Sequence, residues 1–367
     1  MRTADQLGRP SLRRDIATGS AKTNDGVQIL RGRTIIYPEP TINYGVAIPP
    51  GGRPTLYIWC MSIVMEARAR FHKEICRRLY GRRPDSGNYS NADGSSEVSK
   101  AFAMALGDEL VNAGLTPTPS PVEQPQTVGA EFARITAGFL KDCYEKGFAR
   151  LRPAAKWDFK PEAMLADYFQ YAHLSDLEKL SDEYRGEANY WMAAVVGGDY
   201  HIKHDVLMFR RPESIDELND RAGTTLLDPG DEACKFTPLL SSNQREPILH
   251  AAVSTKWTLR SDRAQNVRTE ALNLQKHRKG RTPHLVAITA EPQPSRLESL
   301  ALGTGEIDCV YHVALPEFIT AATRSAAESG LHWNTVRARK DQLQTLKVLE
   351  AGRQLRDIAD LPFDLAM

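Results

Sequence analysis

Residues 250–274 read HAAVSTKWTLRSDRAQNVRTEALNL, and this stretch decides the fold. The apolar and β-branched run at 248–259 predicts a buried strand, and apolar residues at helical spacing from Ser261 to about Lys279 predict the helix that follows it. Ser261 is expected to be the N-cap of that helix. A strand that leads directly into a long amphipathic helix is typical of an α/β protein.

More strands and a largely helical flank are predicted around this stretch. Strands are expected at 200–209, 285–290 and 307–314, where apolar residues alternate or form short runs. Helices are expected to open the folded part near Met61 and to cover 100–113, 129–151 and a long tract at 161–196. The predicted fold class is therefore α/β, with helices around a central sheet.

The first 60 residues differ in character from the rest of the chain. They are rich in Gly, Pro, Thr and Arg and lack a sustained apolar period, which predicts a poorly ordered N-terminal extension at 1–60. Residues 61–367 are expected to form a single domain, although the length alone would also allow two modest ones.

The composition of the 367 residues limits the function only broadly. Hydrophobic residues make up 41% and the net charge is +1, so a nucleic-acid partner is neither indicated nor excluded by bulk charge. The five cysteines form no CxxC pair, which favours a reducing cytoplasm over a disulfide framework or a zinc cluster. The longest nearly apolar run, 56–65, is too short for a membrane span, which needs about 20 residues.

Three charged residues stand out on the predicted elements. Asp205 lies within an apolar strand, Lys256 ends the strand at 248–259, and Glu270 lies on the following helix. Each alone is also explained by a charge at a solvent-exposed strand end. Glu270, however, shares its helix face with Val267 and Leu274, which predicts that it points inward, where a carboxylate needs a cation.

These residue types are the ones that metal-dependent phosphodiester hydrolysis requires. Carboxylates hold Mg²⁺ through oxygen ligands, and a lysine orients the attacking water or stabilises charge at the phosphorus. In a common nuclease pattern an acid lies two residues before the lysine, but Ser254 occupies that position here. Glu270 would supply the missing carboxylate from the helix.

A short charged motif, RSDR at 260–263, follows the lysine at the start of the helix. Arginine is the usual bidentate reader of guanine, and a carboxylate accepts a hydrogen bond from cytosine N4. Arg260 and Arg263 on either side of Asp262 therefore suit recognition of C:G pairs. A capped helix with surface ion pairs is the alternative interpretation of the same residues.

From about Phe71 to its C-terminus, the chain resembles the NgoMIV family of restriction endonucleases, whose members share an inner CCGG. The motifs that carry the resemblance are STKWTLRSDRAQNVRTEALNL, RKGRTPH, TAEPQPSRL and LALGTGEIDCVYH within 250–312, SNADGS at 90–95, PQTVG with Phe132, QYAHL at 170–174, GDYHIKHD at 198–205 and DIADLPFDLA near the C-terminus. The resemblance implies a PD-(D/E)XK core, with a mixed central β-sheet flanked by helices.

The resemblance also implies a role for each matching position. Asp205 would be the shared metal ligand, Lys256 the catalytic lysine and Glu270 the displaced acid, with Ser254 in the same strand. The positions that match readers of DNA are Arg260, Asp262 and Arg263 for the inner CCGG, Asp93 and Arg296 for the outer G:C pair, and Ser95 and Gln126 in the minor groove. The implied enzyme is a Mg²⁺-dependent homotetramer that cuts duplex GCCGGC after the first G and leaves a 5′ CCGG overhang.

Two positions depart from the family. Thr255 replaces a cysteine, which is tolerable if the main-chain carbonyl contacts the metal. Ala133 replaces a glutamate, and the nearest acid, Glu131, is a weak substitute because two residues turn a helical side chain by about 200°. A DNA-binding protein with impaired cleavage is therefore the alternative function, and a repair or recombination nuclease is a third, which the RSDR motif disfavours.

Overall fold

In a computed structural model, residues 43–47, 55–59, 62–122, 124–151, 157–175, 203–231, 233–303, 305–330 and 332–367 are described. Most of the predicted extension at 1–60 lies outside these residues, as do 176–196 of the predicted helical tract and 200–202 at the start of a predicted strand. The poor order predicted for the extension stays a prediction. Its described segments are two strands, β1 (Asn43–Ala47) and β2 (Thr55–Trp59), which pair in antiparallel.

A six-stranded mixed sheet forms the centre of the described fold. Its strands are β3 (Trp157–Met164), β4 (Lys203–Arg210), β5 (Ile248–Lys256), β6 (His284–Thr289), β7 (Cys309–His312) and β8 (Leu355–Asp357), in the spatial order β3-β4-β5-β6-β7-β8. β3, β4 and β5 pair in antiparallel, whereas β5 to β8 run parallel. The carboxyl ends of the parallel strands therefore meet at one edge of the sheet.

Helices precede the sheet, connect its strands and close the chain. The described α-helices are α1 (Ile63–Arg78), α2 (Glu97–Asn112), α3 (Pro125–Lys146), α4 (Ile215–Ala222), α5 (Ser261–His277), α6 (Pro294–Ala301), α7 (Leu315–Ala326), α8 (Trp333–Ala351) and α9 (Leu361–Asp364). No helix among the described residues is long and apolar enough to cross a membrane.

Both faces of the central strands are buried. On β4, Val206 and Met208 belong to the larger hydrophobic core with α1, α2 and α3, whereas Leu207 and Phe209 belong to a smaller core beneath α5. Successive side chains of a strand point to opposite faces. Asp205 therefore shares the face of Leu207, on the side of the sheet that α5 covers.

The structure confirms the mixed central sheet flanked by helices, and with it strands β4 to β7, but it overturns two details. The helical tract predicted from residue 161 begins instead as strand β3, an edge strand that pairs with β4 and tolerates Pro161 because an edge N–H is not needed. Ser261 is the first residue of α5, and the extended Arg260 precedes it as N-cap without a side-chain capping bond.

A buried ion cluster joins α1 to α7 and to the edge strand β8. The Arg68 guanidinium donates to both carboxylate oxygens of Glu317 at 2.6–2.8 Å and to both of Asp357 at 2.7–2.8 Å. Arg68 is 1% exposed, and Asp357 also accepts the Leu315 N–H at 3.0 Å. The cluster thus ties α1, α7 and β8 together in the interior.

Candidate active site

The predicted catalytic residues come together because of the register between β4 and β5. Val206 lies opposite Val253, so the next antiparallel pair places Asp205 beside Ser254. Ser254 and Lys256 are two residues apart and share one face of β5. Glu270 reaches the same face from α5, on the side that the apolar spacing of that helix predicted.

Four polar side chains form a connected group there. The Lys256 ammonium lies 3.0 Å from Asp205 Oδ2 and 3.5 Å from Glu270 Oε1. The Ser254 hydroxyl donates to Glu270 Oε2 at 3.0 Å, and the Thr255 N–H donates to Asp205 Oδ2 at 2.7 Å. One ammonium group is therefore held between two carboxylates, each of which a second bond orients.

The cluster is only partly exposed, which changes its electrostatics. Burial alone would lower the pKa of Lys256, but the adjacent Asp205 and Glu270 carboxylates outweigh it and raise that pKa above its ordinary value. Burial also raises the pKa of the Glu270 carboxyl, although Lys256 opposes this. Lys256 therefore carries its positive charge at neutral pH.

Two histidines near this edge of the sheet, His204 and His312, are buried. Burial lowers the pKa of His204 to about 4, and the same cause lowers the pKa of His312 to about 4. His312 accepts the Ala314 N–H at 3.1 Å and stacks on Phe318. His201 lies outside the described residues.

The donor set fits a divalent cation that keeps open positions. Within the described residues, no three carboxylate, histidine or cysteine groups make a complete metal site. Mg²⁺ is commonly held by one or two carboxylates together with substrate phosphate oxygens, and Asp205 and Glu270 already face one cationic group. In an extended strand the N–H and C=O of a residue point to the same edge, so the Thr255 carbonyl lies on the side of Asp205. The Thr255 hydroxyl is buried elsewhere, with no hydrogen-bond partner among the described residues.

Glu131 does not join this cluster. Its carboxylate pairs with Arg134 at 2.8 Å and with Arg78 at 3.0 Å, and the hydrogen bond from Arg134 is the main reason why its pKa is lowered. The Ala133 side chain is 1% exposed within the hydrophobic core. The structure thus gives no support to Glu131 as a replacement for the family glutamate.

The RSDR residues lie at the start of α5, close in sequence to Lys256. Arg260 and Asp262 are exposed, which the predicted role in base reading requires. Arg263 is half-buried, and its guanidinium donates to the Thr258 hydroxyl at 2.7 Å. The segment therefore exposes two charged side chains beside one that is held in place.

The predicted readers of the outer base pair meet although 203 residues separate them. Arg296, on α6, forms an ion pair with Asp93. The Ser95 N–H and hydroxyl donate to the other Asp93 oxygen at 3.0 and 2.8 Å. These bonds, the one from Arg296 above all, hold the pKa of Asp93 well below its usual range. Gln126 is exposed in the first turn of α3.

Sequence reasoning missed one carboxylate at the same edge of the sheet. Glu291 lies two residues after the end of β6 and is fully buried, with its oxygens accepting the N–H groups of Leu259 at 2.7 Å and Gln293 at 3.0 Å. The one signal for it was an acidic residue immediately after a buried apolar strand, within the TAEPQPSRL motif.

Glu291 is expected to make stability depend on pH. Burial raises its pKa from 4.5 to about 7, opposed by the two N–H donors and by Arg296; Asp93 and His312 are the other titratable groups near it. The folded state therefore binds this proton more tightly, and the resulting stabilisation is lost as pH rises through about 7. At about 1.4 kcal/mol for each pH unit, the loss amounts to about 3 kcal/mol.

Denaturant unfolding of the wild type and Glu291→Gln at pH 5 and pH 8 measures this effect. The free energy of unfolding of the wild type should fall relative to the variant between the two pH values. A difference between the two proteins that does not change with pH would contradict the raised pKa.

A mixed sheet with two carboxylates and a lysine at one edge carries the residue types that metal-dependent phosphodiester hydrolysis requires. The chain belongs to the NgoMIV restriction enzyme family, whose model matches residues 71–367. It is 38% identical over 307 residues to the type II restriction enzyme NgoMIV of Neisseria gonorrhoeae, a match that covers 82% of this chain and 98% of that protein. The resemblance inferred from the motifs is confirmed, and with it a type II site-specific deoxyribonuclease.

A solved structure of the restriction endonuclease PspGI with substrate DNA is also similar. The match covers 83% of this chain and 90% of that one, at 13% identity and a TM-score of 0.26. At that score the likeness has no bearing on function.

Proposed function

We propose that this enzyme is a Mg²⁺-dependent endonuclease that recognises duplex GCCGGC and cuts each strand after the first G, leaving a 5′ CCGG overhang. The observation that supports it most is the approach of Lys256 to within 3.5 Å of both Asp205 and Glu270. The identities of Arg260, Asp262, Arg263, Asp93 and Arg296, which match the family's major-groove readers, support the target sequence.

Asp205, Glu270 and the Thr255 carbonyl would hold the metal ion. When bound, Mg²⁺ neutralises charge on the phosphate oxygens and aligns the attacking water. Lys256 places a permanent positive charge beside the scissile phosphate and stabilises the charge that develops there. Ser254 fixes one oxygen of Glu270 by its hydrogen bond, so the other oxygen stays directed at the site.

Recognition would use two segments at the same edge of the sheet, the RSDR residues at the start of α5 and the Arg296–Asp93 pair. Arg260 and Arg263 suit the O6 and N7 atoms of guanine, and Asp262 suits cytosine N4, in the inner CCGG. Arg296 and Asp93 supply the same pair of groups for the outer G:C pair, whereas Ser95 and Gln126 would contact the minor groove.

Sequencing of the ends produced from plasmids that carry one or two GCCGGC sites tests this proposal. In the presence of Mg²⁺, cutting should occur only at these sites and leave the 5′ CCGG overhang. Faster cutting of the two-site plasmid is expected from the homotetramer that the resemblance implies, and sedimentation of the free enzyme measures that assembly directly. Cutting at unrelated sequences, or none, would refute the proposed target.

Arg260→Ala should weaken binding to GCCGGC, because one bidentate guanine contact is worth about 1–3 kcal/mol. A loss of about tenfold or more in affinity is expected for GCCGGC, with little change for unrelated DNA, in a fluorescence anisotropy titration at fixed salt. Arg337→Ala, which removes an exposed arginine of α8, is the matched control. An equal loss on all sequences would assign Arg260 to phosphate contact instead.

Ala133 favours a second candidate, a site-specific DNA-binding protein with impaired cleavage. That protein would bind GCCGGC tightly but cut it in neither Mg²⁺ nor Mn²⁺. A binding titration and a cleavage assay on the same duplex separate the two functions.

We also propose a cytoplasmic location. Cys76, Cys143 and Cys309 are buried free thiols, which suits a reducing compartment.

A further inference from the structure

Glu291 contacts both segments to which base reading is assigned. Its Oε2 accepts the N–H of Leu259, the residue immediately before Arg260, at 2.7 Å. Its Oε1 accepts the N–H of Gln293, the N-cap residue of α6, at 3.0 Å. The Arg296 guanidinium lies 3.8 Å from Oε2. One buried carboxylate therefore bridges two segments: the RSDR segment at 260–263, which would read the inner base pairs, and the start of α6 at 293–296, which would read the outer pair.

The start of α6 is further joined to the loop that carries Asp93. Gln293 accepts a hydrogen bond from the Ser96 hydroxyl at 3.1 Å, and Arg296 pairs with Asp93. The Arg296 Nη1 atom is buried and has no hydrogen-bond partner among the described residues. The Glu291 Oε2 atom lies 3.8 Å from that nitrogen.

Only a carboxylate of this length satisfies both main-chain donors. A glutamine has one acceptor oxygen, and its amide nitrogen would face either the Leu259 or the Gln293 N–H, leaving a buried donor without an acceptor. An aspartate is one methylene shorter and reaches one donor at most. A buried carboxylate is unfavourable by itself, so its presence here marks a place where relative position matters.

We infer that Glu291 is a positioning residue for specificity, which sets the spacing between the RSDR segment and the Arg296–Asp93 pair so that the inner and outer base pairs are read together. This inference rests on the proposed function. A purely structural Glu291 would affect stability and the rate on every site equally, whereas a positioning residue affects the ratio between sites.

The test compares Glu291→Gln with Glu213→Gln. Glu213 is also a buried carboxylate, 1% exposed, but it pairs with Arg210 and Arg221 beyond the opposite end of β4 from Asp205. Single-turnover cleavage is measured on duplexes with GCCGGC, with the outer pair changed (ACCGGT) and with the inner pairs changed (GCATGC). Thermal unfolding of each protein reports its stability.

The expected result is at least a tenfold fall in the GCCGGC to ACCGGT ratio for Glu291→Gln, with the ratio for Glu213→Gln within twofold of the wild type. If Glu291→Gln does not fold, Glu291→Asp, which keeps the charge, should show the same fall. A wild-type ratio retained by a folded Glu291 variant would overturn the inference alone. A wild type that does not prefer GCCGGC would overturn the proposed function, and the inference with it.

Discussion

Replacement of Lys256 by methionine is expected to slow single-turnover cleavage of GCCGGC by about 10³-fold, the size of effect seen when a group that stabilises transition-state charge is removed. Methionine keeps the length and apolar stem of the side chain but not the charge. The Asp205 and Glu270 carboxylates that lysine now bridges stay in place to bind the metal. Affinity for DNA in Ca²⁺ should therefore change by less than about threefold.

The matched control is Lys141→Met, which removes an exposed lysine of α3 that pairs only weakly with Glu145. It should cut at the wild-type rate. If Lys256→Met kept more than a tenth of the wild-type rate, the lysine would not be a catalytic residue.

Arg68→Met is expected to lower the free energy of unfolding by about 3–5 kcal/mol, the usual penalty for breaking a buried ion pair from one side. The variant leaves Glu317 and Asp357, which are 4% and 8% exposed, without the guanidinium that neutralises both. Guanidinium chloride unfolding at one fixed protein concentration measures the loss, since any assembly makes stability depend on concentration.

Arg70→Met serves as the matched control on the same helix. Arg70 is 47% exposed and pairs with Asp142 and Glu66 at the surface, where an ion pair contributes about 0–1 kcal/mol. A similar loss in both variants would show that the burial of the Arg68 cluster has no special effect.

The side-chain cluster of Asp205, Lys256 and Glu270 could be predicted in part because periodicity carries local information. Helical spacing placed Glu270 on the inward face of α5, and an apolar run placed Asp205 inside a strand. The contact between Asp205 and Thr255 depends on the register of β4 against β5, which no local pattern reports. Strand β3 shows the limit, because residues after Pro161 favour a helix locally and only their pairing with β4 makes them a strand.

Contacts between segments that are far apart in the sequence could not be predicted from residue patterns alone. Asp93 and Arg296 are 203 residues apart, and only the family resemblance linked them. Arg68 and Asp357 are 289 residues apart, and neither belongs to a motif with known chemistry. Glu291 accepts hydrogen bonds from main-chain N–H groups, and the spacing of side chains in the sequence does not indicate such bonds.

The short connection between Lys256 and Arg260 has a consequence for how new variants of this enzyme would behave. Three residues separate them, and four peptide steps span at most about 14 Å. Under the proposed function, this short backbone segment would set the offset between the cut bond and the inner base pairs. Replacement of the side chains that contact bases would then change the DNA sequence that is accepted. The length of the single-stranded overhang would stay the same.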